Sequence, residues 1–198
     1  MKSFKNTRGL KAVIVLAFFI ISTLSGFQLK AQTLYSIAPG SSITVDGTSN
    51  LHDWTMSASK FSCDGKLVIA SGQLKDITAL TFVLPVQNLK SKESLMDTRA
   101  YKALNEESFD KMTFKLTDAT VVEAQKLVKV TGNLTIAGVT KVITLQSNYL
   151  VGNDESVAFK ATKAIKMSDF KIKAPSFMMG ALKTGDDLTI NILLKLKK

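Results

Sequence analysis

The chain has 198 residues, 45% of them hydrophobic, with one cysteine, one histidine and a formal net charge of +10. A lone cysteine excludes an internal disulfide framework, and a lone histidine without a cysteine pair excludes the usual zinc-ligand sets. The charge overstates any case for nucleic acid: residues 1–31 hold five of the 26 basic residues and none of the 16 acidic ones, which leaves 21 against 16, a net +5, in the remainder.

Residues 1–31 read as a cleaved secretory signal peptide. Lys2, Lys5, Arg8 and Lys11 form a basic start, residues 12–24 form an apolar run short for a membrane span, and Leu29-Lys30-Ala31 ends it with a small residue before Gln32. An uncleaved anchor is the competing reading. A lipoprotein would need a cysteine at the new N-terminus, and the one cysteine is Cys63. The expected organisation is therefore a signal peptide over 1–31 and one domain over 32–198, exported to the periplasm or secreted, large enough for a core of its own.

From Ser41 the chain alternates apolar and polar residues, the period of half-buried strands. Ile43 and Val45 open the pattern, residues 47–50 supply turn residues, and Trp54, Met56 and Ala58 resume it. Asp64-Gly65 is expected as a turn before a strand over 66–70. Thr78, Leu80, Phe82 and Leu84 form the next row, which stops at Pro85. Met96, Ala100, Ala103 and Leu104 then fall on one face of a short helix, about residues 92–104, with Ser91 placed to cap it and Glu93 in its first turn. Met112, Phe114 and Leu116 return to strand period.

Residues 128–145 form the clearest hairpin. Val128, Val130, Leu134 and Ile136 alternate with Lys129, Thr131, Asn133 and Thr135, Ala137-Gly138 turns the chain, and Val139, Ile143 and Leu145 return. Gly132 interrupts the apolar row, as glycine does at a bulge or tight bend. A turn at 152–154 leads to Val157, Phe159 and Ala161, and residues 169–183 are irregular. Gly185-Asp186-Asp187 is expected to turn into the last strand, where Leu188, Ile190, Ile192, Leu194 and Leu196 alternate. About eight strands, one short helix and no βαβ rhythm point to a single all-β, antiparallel, lipocalin-like barrel. A barrel also protects the last strand from being an exposed edge.

His52 lies in Asn50-Leu51-His52-Asp53-Trp54 and admits three readings: a hydrogen-bonded corner, a hydrolase-type pair with Asp53, or a polar contact at a cavity mouth. No G-x-S-x-G elbow and no D-x-D-x-D-G run accompanies it. Cys63 reads as a small buried apolar residue. Trp54, Phe82, Phe109, Phe114, Phe170, Phe177, Met178 and Met179 are core material one by one, yet as a group they can line a barrel wide enough for one ligand. Met178-Met179 sits near glycine and proline, where a lid over an apolar cavity fits.

Several segments together resemble the YceI-like family, bacterial barrels that bind isoprenoid lipids. Gly132–Thr140 (GNLTIAGVT) is similar to its central hairpin, Tyr35-Ser36-Ile37 to its opening strand and residues 47–54 (GTSNLHDW) to its first corner. Leu95-Met96-Asp97 with Leu104, Phe109, Met112, Thr113 and Phe114 resembles its middle segment, and residues 168–172 and 185–190 its closing one. Arg99 and Tyr101 stand near a place where the family often has a histidine, and Ala137 precedes Gly138-Val139-Thr140 where many members have histidine. The resemblance implies a non-enzymatic carrier with an elongated cavity for a polyprenyl chain or isoprenoid quinone, and it offers no established catalytic residues. An apolar lipid is the expected partner and no cofactor is expected beyond a bound isoprenoid lipid or quinone; the single histidine and cysteine argue against a metal, and lysines spread singly, with Arg99 the one arginine after residue 31, argue against nucleic acid. The resemblance allows transient membrane contact and leaves the oligomeric state open, a homodimer included. The candidate ligand contacts are His52, Trp54, Phe82, Leu84, Met96, Phe109 and Phe114, followed by Leu134, Ile136, Phe170, Phe177, Met178, Met179 and Ile190. The rival readings are an enzyme working through His52 and Asp53, and a structural or adhesive surface protein whose barrel is filled.

Overall fold

The computed structural model describes residues 32–198, without the side chains of Phe177 and Met178; the signal peptide expected over 1–31 lies outside the described residues. The strands are β1 (Thr33–Ile37), β2 (Ser42–Ser49), β3 (Trp54–Ala58), β4 (Ser62–Ala70), β5 (Gln73–Pro85), β6 (Lys111–Val122), β7 (Leu127–Ile136), β8 (Val139–Val151), β9 (Val157–Lys166), β10 (Ser176–Phe177) and β11 (Leu182–Lys197). Among the described residues there is one α-helix, α1 (Ser94–Ala103), between β5 and β6. All pairings are antiparallel, and β1, β4, β5, β6, β7, β8, β9 and β11 close into a ring of eight when β1 meets β11.

Closure works because β1 and β2 run end to end along the same flank of β11. Ser36 and Ile37 pair with Lys197 and Leu196, and residues 42–47 pair with 188–193. Between them Gly40 has a φ of 82°, and the buried Ser41 hydroxyl accepts from Lys195 N at 2.9 Å, standing in for a missing ladder bond. On its far side β1 pairs with β4, whereas β2 pairs with β3. β3 joins the β5 side through one bridge, Ser57 to Lys90. The wall is thus a continuous ladder at one end and is opened between β3 and β5 at the other, where α1 lies across it.

The ends differ in packing. At the closed end Tyr35, Leu67, Leu74 and Leu196 are fully buried and pack with Val128, Tyr149, Val157 and Phe159 into a solid plug. Toward α1, inward side chains such as Val45, Phe82, Leu134 and Ile190 are only half-buried, because they face internal space.

Four sequence expectations need correcting. Asp64-Gly65 is no turn: both lie inside β4, Gly65 is buried between Tyr35 and Leu80, and a Cβ there would press on Leu67 and the Ala79 carbonyl. The turn falls instead at Ser71-Gly72, both with positive φ. Residues 47–49 continue β2, and the corner comes after them. Gly185–Asp187 lies within β11 as an irregularity between Thr184 and Leu188. Ser91 does not cap α1. It sits two residues before the N-cap Glu93, accepts from Glu93 N at 3.0 Å and donates to the buried Asp97 at 2.8 Å.

Gly132 proves to be half of a paired device. The bulge is in β6, between Leu116 and Asp118, opposite Gly132. A Cβ on Gly132 would lie 2.4 Å from the Phe114 ring and 2.5 Å from the Lys115 carbonyl. The missing side chain is what lets Phe114 lie flat against β7.

Candidate functional site

Two joined chambers occupy the space beneath α1. The inner one, about 180 Å³, is walled by inward residues of β2, β4–β9 and β11, among them Phe82, Leu84, Phe114, Val130, Leu134 and Ile192. Its surface is wholly apolar. Ser147 borders it, but its hydroxyl donates to the Asn148 and Lys160 carbonyls at 3.0 and 3.1 Å. The floor is the upper face of the plug: Cys63, Ile77, Val128 and Phe159 belong to both. Burial, with the nearby charge of Asp64, pushes the Cys63 thiol up to about 12, so at neutral pH it is a small neutral hydrophobe, as its sequence context suggests.

The outer chamber, about 270 Å³, opens outward. Val45, Leu89, Met112, Ile136 and Ile190 line both chambers and form the waist between them. The helix turns Met96, Ala100, Ala103 and Leu104 onto this space, the face its spacing predicts. Most polar side chains gather toward the opening, where His52, Glu93, Arg99 and Lys183 join Ser49 and Thr184; Ser147 and Lys163 border the inner chamber without presenting polar surface to it.

Local hydrogen bonds fix this mouth. Asn50 clamps the β2–β3 corner to the start of β11: its amide donates to the Ala181 carbonyl at 2.7 Å, and its side-chain oxygen accepts from Lys183 N at 2.9 Å. Ser49 Oγ donates to the His52 carbonyl at 2.7 Å. Trp54 lies over Gly47, where a Cβ would come within 2.2 Å of the ring, and its indole donates to the Thr48 carbonyl at 3.0 Å. Asp186 accepts from Ser168 N and Oγ at 2.8 and 2.5 Å, which holds its carboxyl below the ordinary carboxylate range. Asp97, gripping Ser91, and Tyr101, whose hydroxyl donates to the Leu89 carbonyl at 2.9 Å, seat the helix.

His52 Nδ1 is 2.7 Å from the backbone carbonyl of Asp53, not from its carboxylate. A carbonyl oxygen only accepts, so Nδ1 is the donor in this contact. The carboxylate-oriented imidazole that the hydrolase reading needs is not formed. The corner and the mouth-contact readings of His52 are both compatible with the geometry.

Of the candidate contacts, His52, Trp54, Met96 and Phe170 face the outer chamber, Phe82, Leu84, Phe114 and Leu134 the inner one, and Ile136 and Ile190 both. Two do not line the cavity. Phe109 lies outside the barrel with its ring against Gly138 of the β7–β8 turn. Met179 is fully exposed, because a left-handed φ of 56° in the turn at Met178–Gly180 sends it outward, so it forms no lid. The side chains of Phe177 and Met178 lie outside the described part. Sequence reasoning missed the waist residues Val45, Leu89 and Met112. Val45 and Met112 sit in alternating rows already recognised, whereas Leu89 follows Pro85 in a stretch with no periodicity.

The family model of the YceI-like domain matches residues 35–196. The chain belongs to the YceI-like family. Solved structures with this fold include Burkholderia cenocepacia BcnA, 14% identical, covering 78% of this chain and 95% of its own, with a TM-score of 0.65. A Campylobacter jejuni YCEI protein is 19% identical, with coverage of 100% and 99% and a TM-score of 0.57. A polyisoprenoid binding domain from Saccharophagus degradans is 15% identical, with coverage of 82% and 97% and a TM-score of 0.60. At these identities the likeness speaks for the shared YceI-like barrel. No curated protein matches the sequence.

Proposed function

We propose that this YceI-like protein is an exported, non-catalytic carrier that holds the apolar chain of an isoprenoid lipid inside its barrel, with the polar end at the mouth. The observation that carries the reading is the inner chamber, whose exposed wall is wholly apolar and which communicates with the outside through a polar-rimmed opening. Such a space cannot select a charged or strongly hydrogen-bonding molecule, but it rewards carbon: each buried methylene contributes about 0.8 kcal/mol. Fifteen buried carbons contribute about 12 kcal/mol gross, against an association cost of roughly 4–15 kcal/mol. The Saccharophagus relative, described as a polyisoprenoid binding domain, supports the isoprenoid reading, and the character of residues 1–31 supports export.

The test is to express the full chain in a bacterial host, purify the folded protein and analyse an organic extract by mass spectrometry. An isoprenoid lipid in stoichiometric amount is expected, and Ile190→Arg, which puts a charge at the waist, should come without it. Protein that carries no lipid and takes up none from vesicles would overturn the carrier reading.

A further inference from the structure

We propose that the barrel is a blind-ended ruler that shelters an isoprenoid chain of about fifteen to twenty carbons and no more. The inference rests on the carrier reading above and adds a length limit to it. The limit comes from the floor. Cys63, Ile77, Val128 and Phe159 close the inner chamber, and behind them Tyr35, Leu67, Leu74 and Leu196 have no exposed surface. A chain entering at the mouth therefore has no exit at the far end. The break in the ladder, between β3 and β5, lies at the mouth end under α1.

Two strands bound the depth, β11 counted from the outer chamber and β7 from the waist. On β11, Leu188 lines the outer chamber, Leu194 lines the inner one, and Leu196 is already plug. On β7, Ile136 lines the waist, Val130 the inner chamber, and Val128 is floor. Each lining stretch spans six residue steps, about 20 Å of strand at roughly 3.3 Å per residue. At the ~40° tilt of a barrel this is about 15 Å along the axis. An extended carbon chain, with bonds of about 1.5 Å and angles near 111°, advances about 1.25 Å per bond. About twelve bonds, or three isoprene units, thus run from the Leu188 level to the floor, and the outer chamber above that level takes roughly one more unit.

A shorter chain leaves the inner chamber partly empty. A longer one leaves its excess at the opening, among Glu93, Arg99 and Lys183, in water.

The experiment offers the purified, delipidated protein vesicles doped with equal amounts of geraniol, farnesol, geranylgeraniol and an eight-unit polyprenol, and reads the bound species by native mass spectrometry. Farnesol and geranylgeraniol should each be retained at least tenfold over both geraniol and the long polyprenol. Retention of the long polyprenol equal to or above that of geranylgeraniol overturns the limit and leaves the carrier reading standing. Retention of none of the four overturns the carrier reading, and the limit with it. Two variants, one in the floor and one in the wall just above it, move the ruler in opposite directions: Phe159→Ala deepens it and should shift retention toward the long polyprenol, and Val130→Phe shortens it and should shift retention toward geraniol. If one fails to fold, as judged by circular dichroism, the other decides. No shift in a folded variant overturns the proposal.

Discussion

Leu196 and Ile190 lie on the same face of β11, one in the plug and one at the waist, and truncating each to alanine measures how hollow the barrel is. Leu196 has no exposed surface and belongs to the core that holds Tyr35, Leu67 and Leu74. Its loss removes dispersion contacts on every side and leaves a void, at about 2–5 kcal/mol for such a change. Ile190 is half-buried and already borders both chambers, so part of its surface has no packing partner to lose. We expect about 1 kcal/mol or less for Ile190→Ala in the lipid-free protein. For a domain of this size 1 kcal/mol corresponds to roughly 2–4 °C in Tm. Leu196→Ala should therefore melt about 5–15 °C below the parent protein, and Ile190→Ala no more than ~4 °C below it, as read by circular dichroism and checked by urea titration. Loading both with lipid should widen the deficit of Ile190→Ala, because the ligand supplies the contacts that the empty chamber lacks. Equal losses in the two lipid-free variants would falsify the hollow barrel.

Other measurements test other parts of the structure. Cys63, with its thiol pushed up to about 12, should stay inert to a water-soluble disulfide reagent at pH 9 until the protein unfolds. Its raised value means that the proton is held more tightly in the fold; the associated stability is complete below the ordinary thiol value near 9 and is lost as the pH rises from there toward about 12. Gly132→Ala forces a Cβ onto Phe114 and the Lys115 carbonyl, so it should cost roughly 1–3 kcal/mol and reduce lipid uptake by driving the ring into the inner chamber; an unchanged Tm would refute this. Ser168→Ala removes the largest cause of the depressed Asp186 carboxyl, whose contribution to stability is present above the ordinary carboxylate range and lost as pH falls through the depressed value. Carbon-13 NMR should show the titration of Asp186 moving up, and an unmoved curve would show that Ser168 is not the cause. Ala103→Phe should fill the outer chamber and lower lipid uptake at nearly unchanged Tm, so full uptake by the folded variant would show that α1 does not wall the ligand space.

The strands were legible because their period is local. Val128, Val130, Leu134 and Ile136 announce an inward face whatever surrounds them, and β7 carries them as expected. The same holds for Met96, Ala100, Ala103 and Leu104 on α1. Turn residues misled where tertiary contacts use glycine for room rather than for φ. Gly65 sits mid-strand because Leu67 and Ala79 crowd it, and Gly185 lies inside β11 with Thr48 Oγ1 where its Cβ would be. Ser71-Gly72, by contrast, is a positive-φ turn that the alternating pattern around it hides. At the site, Phe109 and Met179 drew attention by residue type, but Met179 has a positive φ and an exposed side chain, and Phe109 lies against Gly138 outside the cavity.

Alternation alone cannot separate plug from chamber, since Leu188 to Leu196 form one uninterrupted row that lines space at one end and is core at the other. What separates them is the partner exchange on either side of Ser41. An eight-stranded ring is just wide enough for its own side chains to fill, and at the closed end they do, with two tyrosines, Phe159 and three fully buried leucines meeting across it. Past Ser41 the wall passes from β1 and β4 to β2 and β3, and β3 has no ladder with β5. The circumference gains a gap, and α1 spans that gap with two alanines among its four inward residues, too small to occupy what it encloses. The cavity therefore arises where the barrel stops closing on itself, which is also where the polar groups of His52, Glu93 and Lys183 stand. Opening and hollow are one consequence of the same strand exchange, and an apolar chain held there has its polar end next to water without any further device.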